Sequence, residues 1–384
     1  SWRPDLDLVA ETSGKNSIIV SNSSDIDLAV YDIVKSAFGH AGQKCSAGSL
    51  AIVEKETYNN PLFFKQLVDA TNSLSVGNPT DLRTSMGPLI KDPNEKLLRA
   101  LTELEEGEEW LVKPKALSNS NCWTPGIKIN VQPNSWTHMN EWFGPVLGIM
   151  KAPNLKKAIE WQNATEYGLT AGLHSLSTKE CNYWLKNVEA GNLYINRPIT
   201  GAVVKRQPFG GWKKSSFGPT VKAGSSFYPS IFKKYEEVKD YDMLVNDLQE
   251  LWNVKSKKIK NDDLQSEHNY SVLYSHKKIL IVQDDKYDQE IKKYLDSIKN
   301  IFRTNIDEIE FSKLEDNDSI DKYSLVRWLS TEPVPEWIYK YNFSVDTNHI
   351  VQNPQIELFS WVRQQSISIT NHRYGNIGFS PVFI

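Results

Sequence analysis

The stretch "GQKCS" at residues 42–46 sets one thiol on a glycine-led turn between a helical run and a β-branched run. A cysteine so placed suits attack on a carbonyl carbon, because the N–H groups of a tight turn converge on the oxyanion that attack creates. Lys44 beside it favours a thiolate if its ammonium turns inward. The competing reading of Cys45 is a small buried hydrophobe, a common fate of a free cysteine. Glu11 lies 34 positions upstream in "ETSGKN", a small-residue turn where a carboxylate can act as general base toward water. An isolated glutamate otherwise reads as a solvated side chain.

Two further stretches, "NEWFGPVLGIM" (140–150) and "QPFGGWKKSSFG" (207–218), set aromatic residues beside Gly and Pro. That suits a backbone passing close to a flat ligand, and ordinary turn-and-core packing serves each equally well. In "NRPITGAVV" (196–204) the consecutive N–H groups of Thr200, Gly201 and Ala202 can form an anion-binding nest, against the plainer reading of a loop. H-E-x-x-H, G-x-x-x-x-G-K-[ST], G-x-S-x-G and G-x-G-x-x-G do not occur. The seven histidines have no ligand spacing, so no metal is expected.

The elements that must position these residues alternate. "NSIIV" (16–20) reads as a strand, and Ile26, Val30, Ile33, Val34, Ala37 and Phe38 recur at helical spacing behind it. "SLAIVE" (49–54) is a strand, "PLFFKQLVDATNSL" (61–74) a helix opened by Pro61, and "NEKLLRALTEL" (94–104) another helix. "LKKAIEWQN", "TAGLHSL", "TKECNYWLKNVEA" (ended by Gly191) and "NLYIN" repeat the rhythm as helix, strand, helix, strand. Crossovers of this kind predict a largely parallel sheet with helices on both faces. A charged segment, 233–269, then reads as a connector or surface helix. Beyond it "KKILIVQDD", "QEIKKYLDSIKNIF" and "IDEIEF" predict a second, smaller α/β unit from about 240 onward.

A length of 384 residues calls for two or three domains. With 44 Lys and Arg against 47 Asp and Glu, nothing points to nucleic acid as a partner. There is no strong membrane signal and no signal peptide at the start. Cys45, Cys122 and Cys181 fit neither a disulfide framework nor a paired-thiol metal site, which predicts a reducing, cytoplasmic setting. The chain opens on Ser1 rather than Met, which reads as a segment of something longer.

Taken together, "ETSGKN", "GQKCS", "EWFGPV" and "PFGG", in that order and spacing, resemble the catalytic half of the aldehyde dehydrogenase superfamily. Within it, "YGLTAGLHS", "GNLYINRPITGAVV" and "KAG" (222–224) look most like L-glutamate γ-semialdehyde dehydrogenases, in particular the corresponding portion of bifunctional proline utilization A proteins. "IELFSWVRQQSISITNHRYGNIG" (356–378) is similar to the C-terminal motif of the longer members, which helps cover the active site. The resemblance implies a catalytic domain over 1–238 and a Rossmann-like C-terminal domain over 239–384.

The same resemblance implies Cys45 as nucleophile and Glu11 as the base that hydrolyses the thioester. It implies Glu141 on the ribose of the nicotinamide half of NAD, Phe143 against the nicotinamide, Ser46, Gly201 and Ala202 on the substrate carboxylate, and Phe209 along its aliphatic stem. The substrate would be L-glutamate γ-semialdehyde, in proline catabolism, with a homo-oligomer expected. FAD would enter only if a proline dehydrogenase domain precedes this region. Family members carry the NAD-binding domain before "ETSGKN", so most of the NAD site is expected to be missing here and the isolated chain inactive. Two alternatives remain: a non-catalytic assembly module that keeps the fold, and an aldehyde dehydrogenase of other specificity.

Overall fold

The computed structural model describes residues 9–117, 121–218, 221–255, 258–284, 289–341 and 343–370. The chain forms two compact units, the larger comprising Ser13–Ala202, Asp263–His268 and Ser368–Ile384, the smaller Ser1–Thr12, Val203–Asp262 and Asn269–Ile367. This division enters the chain at Val203, upstream of the boundary at 239 that family resemblance sets. Phe209 and Glu11 therefore belong to the smaller unit, and Cys45, Ser46, Glu141, Phe143, Gly201 and Ala202 to the larger.

In the larger unit seven strands run in the order Asn192–Ile195, Thr170–His174, Asn16–Val20, Gly48–Glu54, Val146–Ala152, Gly126–Ile129 and Glu109–Val112. Neighbours are parallel except the last pair, which is antiparallel. Every residue of Asn16–Val20 is buried, as expected of a parallel strand covered on both faces.

The helices start where side chains can satisfy their first N–H groups. Asp25 caps Ile26–Phe38, Asn60 caps Pro61–Asn72, Asn94 caps Glu95–Thr102, Asn154 caps Leu155–Asn163 and Ser177 caps Thr178–Asn187. The last of these does not run to Gly191. It ends at Asn187, because the backbone turns extended at Val188 and the Glu189 N–H donates to Asn163 Oδ1 at 2.9 Å instead of to the helix.

The smaller unit holds a four-stranded parallel sheet in the order Asn305–Glu310, Lys278–Gln283, Leu325–Trp328, Ser344–Asp346. Tyr241–Lys255 and Gln289–Phe302 pack on it through Leu244, Leu248, Tyr294, Leu295 and Ile298. The charged segment is thus not merely a surface helix: Leu244 and Leu248 are fully buried, and the charges line the outer face. Part of the terminal motif is core as well. Glu357 accepts both Arg327 Nη groups at 2.6 and 3.0 Å, with the Tyr294 hydroxyl and the Trp361 indole also donating to it. The remainder of that motif, from residue 371, lies outside the described residues.

Candidate active site

Two neighbouring parallel strands, Gly48–Glu54 and Val146–Ala152, are each entered from a loop that carries predicted site residues, Cys45 and Ser46 in one and Glu141 and Phe143 in the other. Parallel register places those loops together at the amino edge of the sheet. This departs from the usual siting of α/β ligands at carboxyl edges.

Cys45 sits in a turn closed by the Ala47 N–H donating to the Lys44 carbonyl at 3.0 Å. The turn is fixed from outside by Asn16, which the sequence reading did not single out. Its Nδ2 donates to the carbonyls of Cys45 (2.7 Å) and Ala47 (3.0 Å), and its Oδ1 accepts the Thr170 N–H (3.0 Å). Asn16 is 2% exposed, so alanine there strands two carbonyls and an amide in the core. Buried polar groups left unpaired cost about 1–3 kcal/mol each. Asn16→Ala is therefore expected to lower unfolding stability by about 3 kcal/mol and to depress turnover as the cysteine turn loosens. Urea denaturation and steady-state hydrolysis of p-nitrophenyl acetate measure both, and a variant as stable and as fast on the ester as the parent would contradict the assignment.

The loop carrying Glu141 and Phe143 interlocks with the same turn. Gln43 Nε2 donates to the Phe143 carbonyl (3.2 Å) while its Oε1 accepts the Ile90 N–H (2.8 Å). Gly42 has φ +67°, and a Cβ there would lie 2.3 Å from the Gly144 carbonyl oxygen, so only glycine lets the two loops meet. Phe143 itself has φ 55°, a sparsely populated conformation for an aromatic residue, and the residue is 39% exposed. Glu141 Oε1 accepts the Gly14 N–H at 3.1 Å, and burial raises its pKa. Beside it Lys15 lies buried with Nζ 3.3 Å from the Trp142 ring centre, burial holding its ammonium well below the ordinary lysine range.

Ser46 is buried, its carbonyl accepting the Thr170 hydroxyl at 3.4 Å. The strand Asn192–Ile195 leads to Ile199, whose N–H donates to Ser36 Oγ at 3.1 Å. Beyond this anchor, Gly201 turns left-handed at φ 84°. The N–H groups of Thr200, Gly201 and Ala202 donate to none of the described residues, which leaves them available to an anion.

In the smaller unit Glu11 lies on the short strand Ala10–Glu11, paired antiparallel with Ser216–Phe217. Its Oε2 accepts the Gly211 N–H at 2.9 Å. Desolvation is the largest influence on its carboxyl, raising the pKa to about 7 against the Gly211 hydrogen bond and the charge of Lys222. A carboxyl poised there is matched to base catalysis near neutrality. The two glycines of "PFGG" each pack closely: a Cβ on Gly210 would sit 2.9 Å from Glu11 Oε1, and one on Gly211 would sit 2.4 Å from Ser215 Cβ. Phe209 is held by its N–H donating to the Ala223 carbonyl at 2.8 Å.

The three thiols differ. Cys45 is partly exposed, whereas Cys122 and Cys181 are buried, and burial raises the Cys181 thiol to about 12. Among the described residues no group of three or more His, Cys, Asp or Glu side chains is placed to hold a metal ion, and no helix is long and apolar enough to cross a membrane.

A sequence profile of the aldehyde dehydrogenase family matches residues 6–239. The 1-pyrroline-5-carboxylate dehydrogenase of Bacillus subtilis (strain 168) is 38% identical over 223 residues, which make up 58% of this chain and 42% of that protein. The chain thus spans less than half the length of that curated relative. Among solved structures, proline utilization A from Corynebacterium freiburgense aligns over 98% of this chain and 40% of that one, with 42% identity and a TM-score of 0.85. The 1-pyrroline-5-carboxylate dehydrogenase from Thermus with bound NAD aligns over 58% of this chain and 43% of that one, at 33% identity and a TM-score of 0.54.

Proposed function

The chain belongs to the aldehyde dehydrogenase family, and on that premise we propose that it is the catalytic and C-terminal part of an L-glutamate γ-semialdehyde dehydrogenase of the proline utilization A type. The alignment with the Corynebacterium protein over nearly the whole chain supports this reading, as does the match to 1-pyrroline-5-carboxylate dehydrogenases. The proposed domains are 1–238 and 239–384, and the family match ending at 239 is consistent with them. Three cysteines outside any disulfide favour a reducing, cytoplasmic setting.

The observation that carries the reading is the partly exposed Cys45 on a turn fixed by Asn16, while the other two cysteines are buried. In the proposed reaction the Cys45 thiolate attacks the aldehyde carbon, and the new oxyanion is held by main-chain N–H groups of the turn. The amides of Thr200, Gly201 and Ala202, with Ser46, take the α-carboxylate, which sets the aldehyde over the sulfur. Phe209 lines the substrate's aliphatic stem.

The residues present fit the nicotinamide end of NAD: Glu141 offers carboxylate oxygen for ribose hydroxyls, and the Phe143 ring is open for stacking. When bound, NAD supplies the acceptor for the hydride. Glu11 then takes a proton from water as the water oxygen bonds to the thioester carbon, and the Cys45 thiolate leaves with glutamate released.

Iodoacetamide is expected to alkylate Cys45 at least tenfold faster than Cys122 or Cys181, and millimolar L-glutamate is expected to slow that labelling. Peptide mass spectrometry reads both. Equal labelling of all three thiols, or protection by acetate as strong as by glutamate, would defeat the assignment of site and substrate class.

A further inference from the structure

"VKAG" (221–224) carries a lysine in an apolar setting, and Lys222 is 3% exposed. Its Nζ donates to the Gly210 carbonyl at 2.7 Å. The N–H of Gly211 belongs to that same peptide group, and it donates to Glu11 Oε2 at 2.9 Å. One peptide plane therefore has an ammonium on its oxygen and a carboxylate on its N–H. Hydrogen bonds in such a chain polarise one another, and low dielectric strengthens each. A cation on the carbonyl makes the N–H a stronger donor, which favours the charged form of the group that accepts it.

Resting on the proposed function, the geometry points to Lys222 as the positioning residue that, through the Gly210–Gly211 peptide, holds Glu11 as an aligned carboxylate. No role is given to Lys222 in bond making. The segment leading into Ser216–Phe217, which pairs with Ala10–Glu11, also carries Lys213 and Lys214, but the charge that bears on Glu11 is that of Lys222, and Glu11 bears in turn on Lys222. Burial opposes both charges, raising the carboxyl and lowering the ammonium. Against that burial, each charge favours the charged form of the other.

The test follows hydrolysis of p-nitrophenyl acetate across pH 5–9. The ester acetylates the Cys45 sulfur and releases nitrophenolate; water, deprotonated by Glu11, then cleaves the thioester to acetate and thiolate. Lys222→Met keeps the volume and removes the charge. It is expected to move the acidic limb of the deacylation rate up by about one pH unit, a tenfold loss on the acid side that recovers at high pH. Lys222→Arg, which keeps the charge, is expected to return the limb toward its original place.

A limb that stays where it was in Lys222→Met, or a loss equal at every pH, overturns the inference and leaves the function standing, provided acetyl-Cys45 forms and turns over in the parent protein. Absence of acetyl-Cys45 in the parent overturns the function and this inference with it.

Discussion

A Cys45→Ala variant is expected to lose acylation altogether, with turnover of the ester falling by about 10⁴-fold or more. The size follows from removing the atom that forms the covalent bond, for which no other thiol substitutes. Cys122 and Cys181 are buried, and the Cys181 thiol donates to the Ser175 carbonyl. The substitution spares the framework. Asn16 binds the main-chain carbonyl at 45, and the turn closes between the main-chain atoms of Lys44 and Ala47, so alanine keeps these main-chain bonds of the turn. Thermal unfolding is therefore expected to match the parent while the ester burst disappears. Mass spectrometry after exposure to p-nitrophenyl acetate checks the loss directly. An acetyl group retained on the variant with undiminished turnover would move the nucleophile elsewhere.

The parallel sheet was legible because its strands are short apolar β-branched runs separated by amphipathic helices with Asp, Asn or Ser at their starts. Those are local properties, and a sequence displays them directly. What the sequence hides is which loops share an edge. Cys45 and Glu141 are nearly a hundred positions apart, yet the parallel order of Asn16–Val20, Gly48–Glu54 and Val146–Ala152 brings their loops together.

Family resemblance supplied the proposed reacting residues, but not those that hold them. Asn16, midway through "GKNSIIV", looks like the first polar residue of a strand, and only the register shows its amide reaching the cysteine turn. The helix Tyr241–Lys255 escaped as a core element because two buried leucines are few among its charges. The left-handed backbone at Phe143 had no glycine to announce it.

This arrangement divides the labour between rigid and tunable parts. The cysteine turn is fixed by uncharged side-chain amides, Asn16 and Gln43, whose bonds do not vary with pH. The proposed base, Glu11, instead accepts one main-chain N–H and feels the charge of buried Lys222. Acylation and deacylation should consequently respond differently to pH and to mutation, although one cysteine serves both.

Glu11→Gln separates the two steps. Glutamine keeps the shape and can still accept the Gly211 N–H through its amide oxygen, so the local backbone persists. It cannot take a proton from water. Acylation of Cys45 is expected to proceed at near the parental rate, giving one equivalent of nitrophenolate per site, while deacylation falls by about 10²- to 10⁴-fold. The product is an acyl-enzyme stable enough to isolate.

In the parent, deacylation should fall as pH drops through about 7, where Glu11 becomes protonated. The sign follows from the base being active only as the carboxylate. In Glu11→Gln that limb should vanish and leave a slow rate governed by hydroxide. Stopped-flow absorbance resolves the burst from the steady state, and intact-mass measurement counts the trapped acetyl. A variant that loses the burst in proportion to the steady state would place Glu11 in the acylation step, contrary to its assignment as the base for thioester hydrolysis.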